Sequence, residues 1–152
     1  MLRLLEVTYT NNKESAALYD GFADVTALTA EFDTKMGAAI KADAYKAEYL
    51  LAFDDEGNIY SEGYDSKDSE VTLSPRLVFV TKTVEGATAN QSKEDSLTAL
   101  KGDFYTKRGA AKKNANTKGI LLIGIDGRMV IYSDNWARPV EPVEPQEEVE
   151  GE

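Results

Sequence analysis

Slid along itself by 72 positions, the chain meets its own pattern again. Asp24-Val25-Thr26-Ala27-Leu28 falls on Ser96-Leu97-Thr98-Ala99-Leu100, and Thr34-Lys35-Met36-Gly37-Ala38-Ala39 falls on Thr106-Lys107-Arg108-Gly109-Ala110-Ala111. Ile59-Tyr60-Ser61 then meets Ile131-Tyr132-Ser133. Between Asp24 and Tyr64 there are 16 identities in 41 ungapped pairs, where chance supplies roughly 2 or 3, so the chain is a tandem duplication. Upstream, Leu4-Leu5-Glu6-Val7-Thr8 matches Leu77-Val78-Phe79-Val80-Thr81 after a one-residue shift. A unit of about 65 residues is marginal by itself. The two copies are therefore expected to pack together.

Each copy has the same local signals. A strand rich in β-branched and apolar residues is predicted over about residues 3–10 and again over 76–83. Turns at Asn11-Asn12-Lys13 and Val84-Glu85-Gly86 lead to a shorter second strand. Asp20 and Ser92 are read as helix N-caps. The helix that follows is predicted to bury Val25, Leu28, Phe32, Met36 and Ile40, one face of a 3.6-residue period. A hairpin closes each copy. Asp126-Gly127 predicts a two-residue turn in copy two, and Asp54-Asp55-Glu56-Gly57-Asn58 a longer one in copy one. The fold class is α+β: two tandem ββαββ modules, each one helix on a small antiparallel sheet, related by a pseudo-two-fold. The first module spans 1–66, a polar linker 67–75, the second module 76–138, and a disordered acidic Pro/Glu tail 139–152. Gly37-Ala38-Ala39 and Gly109-Ala110-Ala111 are expected to mark close packing of each helix on a sheet or on the other helix, and are natural points of approach between the modules.

The chain has no cysteine and no histidine, which removes thiol chemistry, the commonest general base and the commonest zinc ligand. No catalytic residue, cofactor or metal is expected, and the chain is read as a non-enzyme. Glu6 interrupts the apolar N-terminal stretch, so no signal peptide is expected, and no run is long enough to span a bilayer. The expected location is the cytoplasm of a bacterial host, or a virion. A calcium-loop reading of residues 54–59 fails, because Ala52 and Gly63 stand where two key ligands belong.

The copies differ most in charge. Residues 1–66 carry 5 basic against 13 acidic residues, and residues 76–138 carry 11 against 6. Oppositely charged modules attract, which favours their docking on each other, with higher oligomers as the head-to-tail alternative. Lys107, Arg108, Lys112 and Lys113 gather positive charge on the second helix. No nucleic-acid-reading motif accompanies them, so a protein partner is expected over nucleic acid, and no membrane. Tyr60 and Tyr64 in copy one recur as Tyr132 and Trp136, either packed on the helix or forming an aromatic contact patch. Asp54, Asp55 and Glu56, with Asp43 and Glu48, are the acids available to a nucleic-acid mimic.

The LLEVTYT opening strand, the TKMGAA helix core and the AEYLLAFDDEGNIYSEGY hairpin resemble small single-module proteins of bacteriophages and of mobile elements in gut bacteria. That resemblance implies a phage-like origin and carries no functional residues. The expected function is a non-enzymatic interaction protein, either a minor structural component or a host-factor binder. The alternative is an acidic inhibitor that mimics nucleic acid against a host nuclease.

Overall fold

The computed structural model describes residues 1–140. The tail expected over 139–152 lies, from residue 141 onward, outside the described residues. The elements are β1 (Leu2–Thr10), β2 (Lys13–Phe22), α1 (Val25–Lys41), β3 (Tyr45–Phe53), β4 (Asn58–Asp65), β5 (Arg76–Thr83), β6 (Gly86–Lys93), α2 (Leu97–Lys113), β7 (Thr117–Ile125) and β8 (Val130–Ala137). They form two four-stranded antiparallel sheets, ordered β2-β1-β3-β4 and β6-β5-β7-β8, each with one helix.

Several local details depart from the sequence reading. The second strands are not short, and Asp20 and Ser92 lie inside β2 and β6. Pairing of β2 to β1 persists as far as Phe22, so the caps fall four residues later, at Asp24 and Ser96. Their side chains accept from Ala27 N at 2.8 Å and Ala99 N at 3.0 Å. On α1 the buried residues are Leu28, Phe32, Met36 and Ala39, whereas Val25 and Ile40 are exposed. The two hairpin turns have equal length. Asp54 N donates to Gly57 O and Asp126 N to Met129 O, and each aspartate side chain accepts two backbone N–H groups ahead of it. The aspartate, not the Asp-Gly pair, dictates this four-residue loop.

Each sheet is covered on both sides. On the outer faces, Leu28, Phe32 and Met36 of α1 pack on Leu4, Leu50 and Ala52. Leu100, Phe104 and Ala111 of α2 pack likewise on Leu77, Ile120 and Leu122. The inner faces pack on each other through Leu5, Val7, Tyr49, Leu51 and Phe53 from one sheet and Val78, Val80, Leu121, Ile123 and Ile125 from the other. The molecule is therefore a helix–sheet–sheet–helix sandwich. The helices lie on the outside and do not approach one another. A Cβ added at Gly37 or Gly109 would have nothing within 4 Å, so these glycines are not the close-packing points expected of them.

Ion pairs across the join follow the charge asymmetry. Arg76 meets Glu14 at 2.6 Å, Lys82 meets Glu56 at 3.3 Å, and Arg128 pairs with Asp65. Arg3 and Arg76 are equivalent, as are residues 14 and 87. Arg3 Nη2 donates to Ala87 O at 3.2 Å while Arg76 Nη2 donates to Glu14 Oε2, the reciprocal contacts an approximate two-fold requires. The segment between the modules is not merely polar. Leu73 is buried in the inter-sheet core and Val71 packs against it. Gly127, at φ +108°, lets the β7–β8 turn close over this segment, since a Cβ there would sit 2.2 Å from Leu73 O. Separately expressed halves, residues 1–72 and 73–152, are expected to associate in trans. The association should weaken as salt rises from about 0.05 to 0.5 M. Halves that stay monomeric at low salt in light scattering would contradict this.

Candidate functional site

The aromatic pairs singled out from the sequence face the helices. Tyr60 and Tyr64 pack at the rim of the α1 core, and Tyr132 and Trp136 at the rim of the α2 core. All four are half-buried. They are chiefly packing residues, although Tyr132 also lines the groove described below.

The basic residues are spread over several roles. Lys107 pairs with Asp103 at 3.5 Å and lies 4.4 Å from the centre of the Phe79 ring. Arg108 Nε lies 2.6 Å from Asp134 Oδ2, and Lys112 lies 5.9 Å from the Trp136 ring. Lys113 is exposed. Arg138, which the sequence reading passed over, donates to Ala111 O, Lys112 O and Asn114 O. It thereby satisfies carbonyls left open at the C-terminus of α2.

The acids do not form one exposed row. Asp54 is spent on its turn. The Arg3 guanidinium and the N-terminal ammonium outweigh partial burial and hold the Asp55 carboxyl below its ordinary value. Glu56 accepts from Asn135 Nδ2 at 2.6 Å and pairs with Lys82, and both contacts lower its pKa. Glu48 is 1% exposed, and its two carboxyl oxygens have no hydrogen-bond partner. Burial, followed by the neighbouring Glu6 carboxylate, pushes it up to about 9 against the pull of Lys35. Glu48 is therefore neutral at pH 7 and unavailable to a surface partner.

What sequence reasoning missed is a groove of about 500 Å³ between α2 and β8. Lys101, Phe104, Tyr105 and Arg108 line it from the helix, and Tyr132, Ser133 and Asp134 from the strand. Phe104 forms its floor, edge-on to Tyr105 at 5.7 Å and to Tyr132 at 5.3 Å. Tyr105 is 56% exposed. Burial and Tyr105 together raise the Tyr132 hydroxyl.

The equivalent place in the first module has a different lining. There the helix positions are Thr29, Asp33 and Met36. Tyr60 OH donates to Thr29 Oγ1 at 3.0 Å, and its ring lies 4.6 Å from Phe32. Lys101 offers no such acceptor to Tyr132. Opposite it on β7, Gly124 accommodates the Tyr132 ring, which an added Cβ would approach to 2.5 Å; the first module has Ala52 there. One frame therefore carries a closed aromatic contact in copy one and an aromatic groove with two cations in copy two. The signal lay in the positions where the copies disagree, Thr29/Lys101, Asp33/Tyr105 and Met36/Arg108, which recur at i, i+4 and i+7 on one helix face.

No family model matches the chain, and no curated protein or solved structure matches it. No helix among the described residues is long and apolar enough to cross a membrane.

Proposed function

We propose that this chain is a non-enzymatic, phage-type interaction protein that binds a phage or host protein through the α2/β8 groove of its second module. The observation that carries the reading is the groove itself, which is large enough for side chains of a partner. Its walls combine exposed tyrosine with arginine, the residue types enriched where proteins meet. The first module serves as the support, since its sheet supplies the other half of the inter-sheet core.

A photo-crosslinking amino acid placed at Tyr105 tests this, with the same group at Asp33 as the internal control. In bacterial host lysate the expected result is one dominant crosslinked protein from position 105 and none from position 33. Equal products from both positions, or none from either, would overturn the reading.

A further inference from the structure

We infer that the open edge of β8 receives an extended acidic segment of the partner protein as an added strand. This inference rests on the groove reading and narrows it to one ligand chemistry. β8 ends its sheet, paired on one side to β7 and on the other to no strand among the described residues. Its outer backbone groups are a template for a further strand.

Lys101, Tyr105, Arg108 and Lys112 stand at i, i+4, i+7 and i+11 of α2, a single stripe alongside that edge. The first three face Tyr132, Ser133 and Asp134 across the groove, and Lys112 reaches Trp136 further along the strand. At 1.5 Å per residue the stripe is about 16 Å long, the span of about five strand residues. A stripe of that length beside a strand edge suits an extended chain, not a compact ligand.

Its charge specifies the chain. The one acid in the groove, Asp134, is held by Arg108 Nε. The two terminal nitrogens of Arg108 meet no partner among the described residues, and Lys101 has no ion pair there. Carboxylates on alternate residues of an added strand would lie toward the helix, and Arg108 presents a fork suited to them. The residues between them would point to the opposite face of the sheet. The corresponding edge, β4, runs beside Thr29, Asp33, Met36 and Ile40, which have no cation and one acid. The same acidic strand should be rejected there, which gives the chain a built-in comparison.

The test uses the full chain and the synthetic peptide Glu-Val-Glu-Phe-Glu-Val-Glu, with its Lys-for-Glu counterpart, read by amide NMR shifts and fluorescence anisotropy. The expected result is that the acidic peptide shifts amides of Val130–Ala137 and of α2 but not those of β4. Affinity should fall at least tenfold in Lys101→Glu, an exposed site that leaves the core alone, and further when Arg108→Glu is added. No shift on β8 at millimolar peptide, shifts on β4, or equal binding of the lysine peptide would overturn the inference. So would binding confined to a chain ending at Val140, because the edge would then belong to the molecule's own acidic C-terminal residues. If position 105 still crosslinks one protein while the peptide fails, strand addition falls and the groove reading stands. If both fail, both fall.

Discussion

Replacing Glu14 with alanine is expected to destabilise the protein by roughly 3–5 kcal/mol, the cost of stranding a buried charge. The side chains of Glu14 and Arg76 are 7% and 6% exposed, and they meet at 2.6 Å across the two modules. Glu14 also accepts from Ser74 N at 2.7 Å, so the loss leaves a backbone donor unpaired as well. Arg76 would keep only Gln91 Oε1, at 2.7 Å. In a protein of this size such a loss lowers the melting temperature by about 10 °C or more. Chemical denaturation of the single variant against Glu14→Met combined with Arg76→Met decides the matter. The double variant removes the charge along with its partner and should be markedly more stable than Glu14→Ala. If both variants lose the same stability, the buried charge is not the cause.

Glu48→Ile is expected to stabilise the protein at neutral and alkaline pH and to flatten its stability profile. The second module already carries isoleucine at the equivalent position, Ile120, buried in the α2 core. Around Glu48 the ionisable groups are Glu6 and Lys35, with Lys35 also bridging to Glu31 at 3.3 Å and lying 4.1 Å from the Tyr19 ring. Burial alone would lower the Lys35 pKa, but Glu6, Tyr19 and Glu31 outweigh it and keep the ammonium charged. The folded chain thus holds a proton on Glu48 up to about pH 9, whereas the ordinary carboxyl value is 4.5. Below the ordinary value both states are protonated and nothing is lost. Between the two values the unfolded chain releases a proton that the folded chain retains. Stability therefore falls by up to about 1.4 kcal/mol per pH unit, and it levels off above the folded value. Thermal melts of wild type and Glu48→Ile from pH 5 to 9 should diverge as pH rises. Parallel curves would refute the assignment.

The repeat made much of the fold readable. Two copies of each signal located every strand and helix, and the apolar spacing identified Leu28, Phe32 and Met36 as core. The arrangement of layers was also written in the chain but was read too narrowly. Ala47–Phe53 and Gly119–Ile125 are buried without interruption, and an unbroken apolar strand means both faces are covered. Reading these stretches only as closing hairpins, and the Gly-Ala-Ala segments as the points of approach, left out the inner faces of the sheets, which make the join. The misplaced caps reflect a contest that local sequence does not decide, because pairing of β2 to β1 outlasts the cap signal at Asp20. Glu48 was hidden for a similar reason. Only the register, with Thr8 opposite Glu48 and Leu50 opposite Glu6, brings its carboxyl beside that of Glu6 under the helix. The groove went unseen because identities between copies reveal the shared frame, whereas its lining is made of their differences.

The inner face of either sheet is a bed of Leu, Val, Ile, Tyr and Phe that only the other sheet covers. A single module alone would leave that bed open to water, and a second copy of itself could cover it about a two-fold axis. The present chain has the layout of such a symmetric pair joined end to end. In such a pair every substitution appears twice, so a cation gained on one helix is gained on both, and an acid placed opposite an arginine is placed there a second time by the symmetry. A single chain is free of that constraint. One half can be acidic and hold its neighbour, while the other carries its own helix face without disturbing the first.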